Sequence, residues 1–175
     1  MRLITLLLLS VVLIGCEKEL PVFKGSPLER EGLFYAPNST EPLTADVEEY
    51  YESGALERTF ALIDGAKQGL EQSWYEKGQL KKELKFVNGK QDGLFQQWHE
   101  NGQLKDEATS VKGKAEGLQR KWHEDGHLLR EATYVNGKLE GLTQLWDENG
   151  EPGGRFCYKA DEKTGLSYCT EGKQP

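Results

Sequence analysis

The sequence predicts an all-β fold, an elongated antiparallel array of β-hairpin repeats that forms a single-layer curved sheet. The first observation is a 24-residue period in the tryptophans, which stand at Trp74, Trp98, Trp122 and Trp146. The second is that glycines recur with the same period and interrupt the chain about every dozen residues. A fixed period of this length is typical of repeat arrays built from one small supersecondary unit. Turns this close together leave no room for helices, so each unit is predicted to be two strands.

The first residues of the chain predict a secretory signal. Arg2 precedes an almost wholly apolar run, residues 3–14, which is shorter than the about 20 residues of a membrane-spanning helix but suits a signal core. Residues 13–16, Leu-Ile-Gly-Cys, resemble the bacterial lipobox, which implies cleavage before Cys16 and lipid on its sulfur. We therefore predict a lipoprotein signal peptide at residues 1–15. The expected location is the bacterial envelope, favouring the periplasmic side of the outer membrane. The alternative is a core helix that happens to end in Gly-Cys.

Residues 16–44 show no sustained period and contain four of the six prolines, which predicts a tether followed by an N-terminal cap. Within this segment, residues 32–35 read as a short strand that caps the array. The repeat domain is predicted for residues 45–172. Its first unit is atypical, with Tyr50 at the tryptophan position, as expected for the terminal unit of an array.

Side-chain alternation predicts the faces of each unit. In the unit that begins at Leu94, this residue and Trp98 share a face of the first strand. An odd, three-residue loop around Gly102 sets Trp98 opposite Leu104 or Asp106 and keeps the apolar faces together. The other face is predicted to be polar. The predicted repeat core consists of Trp74, Trp98, Trp122, Trp146, Leu80, Leu104 and Leu128.

If the loop at the second turn of each unit also has an odd number of residues, an apolar residue lies opposite every tryptophan. The predicted pairs are Phe60 with Trp74, Leu84 with Trp98, Ala108 with Trp122, and Ala132 with Trp146. Glycines are predicted at both kinds of turn, namely Gly78, Gly102, Gly126, Gly89, Gly113 and Gly137.

Two cysteines remain if Cys16 carries lipid. In an oxidising compartment Cys157 and Cys169 are then expected to form a disulfide. A hairpin loop with an odd number of residues, centred on Lys163, supports this pairing independently. It sets the two cysteines directly opposite each other, within the about 7 Å between alpha carbons that a disulfide requires.

The repeated motif resembles a known family. Gly-Leu-x-x-x-Trp-[Tyr/His]-Glu-x-Gly-x-Leu, followed by Asn-Gly-Lys-x-x-Gly, is similar to the MORN-repeat variant of the bacterial YwqK-type antitoxin-like family. The similarity covers residues 33–141 clearly and 142–172 loosely, and it departs at Ala45 and Tyr50, at Lys112 and beyond Gly150. The resemblance implies a curved, elongated sheet of hairpins that serves as a protein-interaction surface.

The sequence contains little that indicates chemistry. His99 and His123 occupy one repeat position, about 10 Å apart, so they cannot ligate one metal ion at about 2 Å. No nucleophile, phosphate-loop or zinc-protease motif occurs, and one carboxylate per unit is not a converging acid/base pair. We expect no catalytic residue, no metal and no cofactor, and therefore not an enzyme.

A net charge of −7 disfavours nucleic acid and anionic membrane as charged partners and favours a basic protein. Membrane contact is expected through the lipid alone.

The tryptophans are either core or partner-facing, and Tyr75, His99 and His123 are candidate partner-binding residues on the outer face. The expected function is a non-catalytic, membrane-anchored scaffold that neutralises a toxin or effector as an antitoxin or immunity protein does. The alternative is a structural scaffold that holds a protein or wall component near the membrane.

Overall fold

The computed structural model describes residues 19–170. The predicted signal peptide at residues 1–15, the lipidation site Cys16 and the last two residues of the predicted repeat domain lie outside this part of the chain. Within it, none of the helices is long and apolar enough to cross a membrane. The elements are β1 (Val22–Lys24), β2 (Leu28–Arg30), β3 (Leu33–Tyr35), β4 (Ala45–Tyr50), β5 (Leu56–Ile63), β6 (Ala66–Trp74), β7 (Leu80–Val87), β8 (Lys90–Trp98), β9 (Leu104–Val111), β10 (Lys114–Trp122), β11 (Leu128–Val135), β12 (Lys138–Trp146), β13 (Pro152–Lys159), β14 (Glu162–Thr164) and α1 (Ser167–Thr170).

The strands form one long antiparallel sheet of successive hairpins. From β4 to β14 each strand pairs with the next along the chain, and β1 lies parallel beside β4 at one end. Strands β2 and β3 form a separate hairpin. The sheet is not closed, since β1 and β14 lie at opposite ends of the strand order. The predicted fold class, an all-β array of hairpin repeats, is confirmed.

The first turn of each unit is a three-residue loop, as predicted. In the unit of Trp98, the backbone N–H of His99 donates to Gln103 O over 2.9 Å, and Gly102 N–H donates to His99 O over 2.9 Å. Gly102 has φ 85°, a left-handed conformation that glycine adopts without a Cβ clash. Trp98 consequently pairs with Leu104.

The second turn of each unit has two residues, so the loop with an odd number of residues that was predicted there is wrong. Val87 pairs with Lys90 around Asn88 and Gly89, which both have positive φ, at 49° and 75°. This primed turn is favoured because its twist matches that of the flanking strands. Each predicted apolar residue therefore lies opposite a residue other than a tryptophan. The observed pairs are Phe60 with Val47, Leu84 with Phe95, Ala108 with Phe95, and Ala132 with Thr143.

The strand pairing shifts by one residue beside each tryptophan, so the second strand of each unit presents its side chains on the faces opposite to those predicted. Between Gln97 and Trp98 the pairing moves by one residue, so that Gln96 lies opposite Glu107. One extra residue reverses which side chains share a face. The glutamates predicted on the opposite face, Glu83, Glu107 and Glu131, therefore lie on the face of the leucines. We call this the leucine face, defined by Leu70, Leu94 and Leu118, and the other the core face, defined by Val47, Phe60 and Leu62.

The buried core lies at the N-terminal end of the sheet. Val47, Phe60 and Leu62 are buried there, and Phe23, Phe34 and Leu43 from the N-terminal segment pack against them. The predicted capping strand at residues 32–35 is present as β3, and Phe34 N–H donates to Gly65 O over 2.9 Å. Strands β8, β9 and β10 contain no buried residue. Apolar burial is thus greatest at this end and least in β8 to β10, and Ala132 and Cys157 are buried again toward the C-terminal end.

The C-terminal end is closed by a disulfide between Cys157 and Cys169, with alpha carbons 6.1 Å apart. The predicted bond is present, but the register that led to it is wrong. The hairpin turns at Ala160 and Asp161, so Cys157 pairs with Thr164, and Cys169 reaches it from α1. The Tyr168 hydroxyl also holds α1 by donating to Glu140 Oε1 over 2.6 Å. This hydrogen bond lowers the pKa of Glu140 and raises that of Tyr168.

Candidate protein-binding surface

The residue after each tryptophan position connects one repeat to the next. The Tyr75 hydroxyl donates to Trp98 O over 2.8 Å, and the Tyr51 hydroxyl makes the same bond to Trp74 O. His99 Nε2 lies 3.1 Å from Trp122 O, and His123 Nε2 lies 3.4 Å from Trp146 O. All four contacts span 23 residues.

In these contacts the polar tips of the predicted partner-binding residues Tyr75, His99 and His123 bond within the array. Each polar tip lies against a backbone carbonyl of the following unit, and the His99 side chain is only 11% exposed. A buried carbonyl needs a donor, and these side chains supply one. Their role in the structure is to join neighbouring repeats.

The tryptophans and leucines of the predicted repeat core are only partly enclosed. All of them, Trp74, Trp98, Trp122, Trp146, Leu80, Leu104 and Leu128, are half-buried. They stand beside the three-residue turns at one long edge of the sheet, where Trp74, Trp98 and Trp122 each pair with the leucine of their own unit.

Removing one inter-repeat hydrogen bond tests this role. We expect Tyr75→Phe to lower the free energy of unfolding by about 1 kcal/mol, because Trp98 O loses its donor while the ring is retained. Chemical denaturation of the full chain measures the change. Tyr158→Phe is the control, since the Tyr158 hydroxyl makes no hydrogen bond within residues 19–170. If the two substitutions lower the free energy of unfolding equally, the hydrogen bond from Tyr75 to Trp98 O contributes nothing to stability beyond the loss of a tyrosine hydroxyl.

A row of exposed glutamates lies along the edge formed by the three-residue turns. We call this the carboxylate edge, defined by Glu76, Glu100, Glu124 and Glu148. Equivalent residues lie two strand spacings apart, about 9 to 10 Å. The Glu124 side chain is 83% exposed. The edge formed by the two-residue turns is different, because it presents the exposed lysines Lys90, Lys112, Lys114 and Lys138, which we call the lysine edge.

His127 lies on the carboxylate edge between the Asp125 carboxylate and the backbone carbonyl of Glu148. Its Nδ1 is 3.0 Å from Glu148 O and 3.4 Å from Asp125 Oδ2. The hydrogen bond to the Glu148 carbonyl, followed by the charge of Asp125, raises the pKa of His127 above its usual value. The pKa of Asp125 is lowered, chiefly because its carboxylate accepts the backbone N–H of His127.

The titration of His127 should reflect this geometry. We expect its NMR titration midpoint to lie above 6.5, the value for an unperturbed histidine, and Asp125→Asn to lower that midpoint. Since the folded pKa is the higher one, the stabilisation by protonated His127 is complete below about pH 6.5 and is lost as pH rises through the folded pKa. A midpoint at or below 6.5 would contradict the arrangement of His127, Glu148 and Asp125.

Metal-ligating groups do not converge in the part of the chain that the structure describes. Across residues 19–170, no cluster of three or more histidine, cysteine, aspartate or glutamate side chains could hold an ion. His99 and His123 each lie against a backbone carbonyl of the next unit.

The glutamates of the carboxylate edge are not among the predicted site residues, although the sequence contains their signal. Glutamate follows the tyrosine or histidine after Trp74, Trp98 and Trp122, which places it at the same turn position in three units. The prediction placed Glu83, Glu107 and Glu131 on the face opposite the leucines, whereas they lie on the same face as Leu70, Leu94 and Leu118.

Comparison with known proteins identifies the repeats. Residues 67–88, 91–112 and 115–136 match the family model described as the MORN repeat variant. Each matched segment contains one three-residue turn and the two strands beside it. A search of curated proteins found no match to the chain. The chain thus contains three MORN repeats of the variant type, which suggest a repeat scaffold for binding a protein or a membrane.

Proposed function

We propose that the protein is a non-catalytic scaffold, anchored to the bacterial envelope by lipid on Cys16, that binds a basic protein along the carboxylate edge. In this proposal the partner is a toxin or effector, which the scaffold neutralises in the manner of an immunity protein. The observation that carries the proposal is the exposed glutamate that each of four units places at its three-residue turn.

The electrostatic setting supports a basic partner. Glu76, Glu100 and Glu148 form no ion pair within residues 19–170, and Glu124 Oε1 lies 3.9 Å from His99 Nδ1. Four carboxylates at regular spacing, on a chain of net charge −7, attract a positively charged surface during encounter. The glutamates stand at turns of the sheet edge, so a partner can reach them without any change in the fold.

The anchor is supported by the sequence alone. Residues 13–16 resemble a lipobox, and Arg2 with the apolar run before Cys16 has the form of a secretory signal. Substitution Cys16→Ser should move the protein from the membrane fraction to the soluble fraction of the envelope.

Crosslinking in intact cells followed by co-purification tests the partner. We expect the wild-type chain to capture a basic protein, and a variant with Glu76, Glu100, Glu124 and Glu148 all changed to glutamine to lose most of that capture. The matched control changes Lys90, Lys112, Lys114 and Lys138 to glutamine on the opposite edge, and should retain capture. Equal capture by both variants would contradict binding through the carboxylate edge.

The same preparation distinguishes the two roles. An immunity protein should restore the growth of cells that express its captured partner, and the glutamine variant of the carboxylate edge should not. If the captured partner is harmless, or if the chain sediments with wall material and captures no protein, the role is instead that of a structural envelope scaffold.

A further inference from the structure

The last unit of the array shows how a protein segment sits on the leucine face. Cys157 lies opposite Leu142 on that face, and its disulfide to Cys169 holds α1 against β12 and β13. The Tyr168 hydroxyl donates to Glu140 Oε1 over 2.6 Å. Such a hydrogen bond is among the stronger kinds in proteins, because its acceptor is charged. The segment is therefore seated by a tyrosine hydroxyl on a carboxylate.

The carboxylate of Glu140 is oriented by a neighbouring turn. Its Oε2 accepts the backbone N–H of Ala160 over 2.9 Å, which leaves Oε1 for the tyrosine hydroxyl. Lys159 borders the tyrosine, with its Nζ 5.8 Å from the centre of the ring. We call this arrangement the α1 site, defined by Glu140, Leu142, Cys157 and Lys159.

The repeat places equivalent residues twice more along the leucine face. One period before the α1 site stand Glu116, Leu118, Thr133 and Val135, and two periods before it stand Asp92, Leu94, Thr109 and Val111. In both sets the leucine pairs with the threonine of the next strand, as Leu142 pairs with Cys157. We call these two sets the open sites.

The carboxylates of the open sites are held as Glu140 is, but each keeps one oxygen free. Glu116 Oε2 accepts the backbone N–H of Asn136 over 2.9 Å, and Asp92 Oδ2 accepts that of Lys112 over 3.3 Å. Within residues 19–170, the second oxygen of each accepts no hydrogen bond and neither carboxylate forms an ion pair. The acceptor that Tyr168 uses in the last unit is thus available in two earlier units.

The open sites are accessible from outside the sheet. Leu118 is 41% exposed and Leu94 is 48% exposed, whereas Leu142 is half-buried on the part of the face that α1 covers. Glu116 also lines an open cavity of about 450 Å³, together with Val111 and other residues of the lysine edge. A segment can therefore reach the Glu116 carboxylate without any change in the fold.

We propose that the open sites bind a segment of another protein that presents a tyrosine. The tyrosine hydroxyl donates to the free oxygen of Glu116 in one site and of Asp92 in the other. The ring packs on the valine that replaces Lys159 in these units, and an apolar neighbour of the tyrosine packs on the exposed leucine. Tyrosine suits such a site because its ring is apolar and its tip is polar.

The charges around the open sites favour a neutral donor over a cationic one. Lys114 and Lys90 precede Glu116 and Asp92 by two residues on the same strands, so each lysine shares the face of its carboxylate. Their ammonium groups repel a lysine or arginine of a partner, but they do not repel a hydroxyl. The open sites lie apart from the carboxylate edge, so the loss of one surface leaves the other intact.

Disulfide tethering tests the open site that contains Glu116. Because Thr133 occupies the position of Cys157, a full chain with Thr133→Cys and Cys16→Ser can bind the peptide Gly-Leu-Ser-Tyr-Cys-Thr, the sequence of residues 165–170, as Cys157 binds Cys169. The peptide competes with its phenylalanine counterpart under thiol–disulfide exchange in detergent solution. Mass spectrometry measures both adducts, and peptide mapping checks that the native disulfide is intact.

We expect the tyrosine adduct to exceed the phenylalanine adduct by about fivefold, since only tyrosine gains a hydrogen bond to a charged acceptor. Glu116→Gln should bring this ratio close to one. Gln68 occupies the same repeat position and accepts the Asn88 N–H over 2.9 Å, so a glutamine retains the bond to the turn. A ratio near one in the Glu116 chain, or an unchanged ratio in the Glu116→Gln chain, would overturn the proposal.

The unit of Gln68 provides the matched control site. Lys85 stands at its threonine position, opposite Leu70, and no carboxylate stands beside that leucine. Tethering at Lys85→Cys in the same background should therefore give a ratio near one. A fivefold preference at this site would overturn the role of the carboxylate. A melting temperature near the wild-type value checks that each variant is folded.

Photocrosslinking in intact cells tests the nature of the partner segment. A photoreactive residue in place of Leu118 should crosslink to a protein within a few residues of a tyrosine, and Glu116→Gln should lower the yield about fivefold. Leu28 is the matched control position, since it is 46% exposed but lies in the separate hairpin, and it should give no such crosslink. Crosslinks to segments without tyrosine, a yield independent of Glu116, or the absence of any crosslinked protein would overturn the proposal.

Discussion

Phe60→Ala is expected to lower the free energy of unfolding by about 3–5 kcal/mol, the usual cost of removing a buried aromatic side chain. Phe60 is 3% exposed and pairs with Val47 across the first hairpin of the array. Its ring centroid lies 6.1 Å from that of Phe34, which comes from the N-terminal cap. The substitution therefore opens a cavity where the sheet and the cap meet.

Chemical denaturation of the full chain measures this loss. Phe95→Ala in β8 is the matched control, because Phe95 is the same residue type on the same face but is half-buried in a strand without buried residues. We expect a cost of about half that of Phe60→Ala, in proportion to the smaller apolar area withdrawn from water. Equal costs at the two positions would show that the core extends along the array.

The second large effect is expected at Glu71, a carboxylate that is 2% exposed. It accepts a hydrogen bond from Lys67 Nζ, and its Oε1 lies 3.6 Å from Lys82 Nζ and 3.9 Å from an Arg58 guanidinium nitrogen. Lys67 is mostly buried, with its side chain 16% exposed. Glu71→Ala should cost about 3–5 kcal/mol, because it leaves a buried ammonium group without its counter-charge.

The repeat itself provides the control for Glu71. One unit later the positions of Lys67 and Glu71 are occupied by Gln91 and Phe95. The double substitution Lys67→Gln with Glu71→Phe removes both charges, and it should be much less destabilising than Glu71→Ala, since replacing a buried ion pair by packed neutral residues is often nearly neutral. If the double variant is the less stable of the two, the ion pair stabilises the fold by more than its desolvation cost.

The period and the three-residue turns could be predicted from the sequence, because each depends on residues close together in the chain. The two-residue turns were predicted wrongly, although Asn88-Gly89 and Asn136-Gly137 are typical of such turns. An apolar residue opposite every tryptophan would require a loop with an odd number of residues, which the two-residue turns exclude. The register shift beside Trp98 carries no local signature, and it reversed the predicted faces of every unit.

The two surfaces differ in how far the sequence could predict them. The carboxylate edge depends only on which residues occupy the turns, so its glutamates can be located once the three-residue turns are known. The contacts of Tyr75, His99 and His123 depend on backbone carbonyls of the next unit, whose positions follow from the register. The leucine face likewise required the observed register, since a shift of one residue exchanges the faces.

The central claim is that the largest buried core lies at the N-terminal end of the array, while the middle strands β8 to β10 present open surfaces to partners. Residue-resolved hydrogen exchange of the full chain tests this claim directly. We predict the slowest exchange in β4, β5 and β6, around Val47 and Leu62, and faster exchange through β8, β9 and β10, where no residue is buried. Uniform protection along the sheet, or the slowest exchange in β8 to β10, would contradict it.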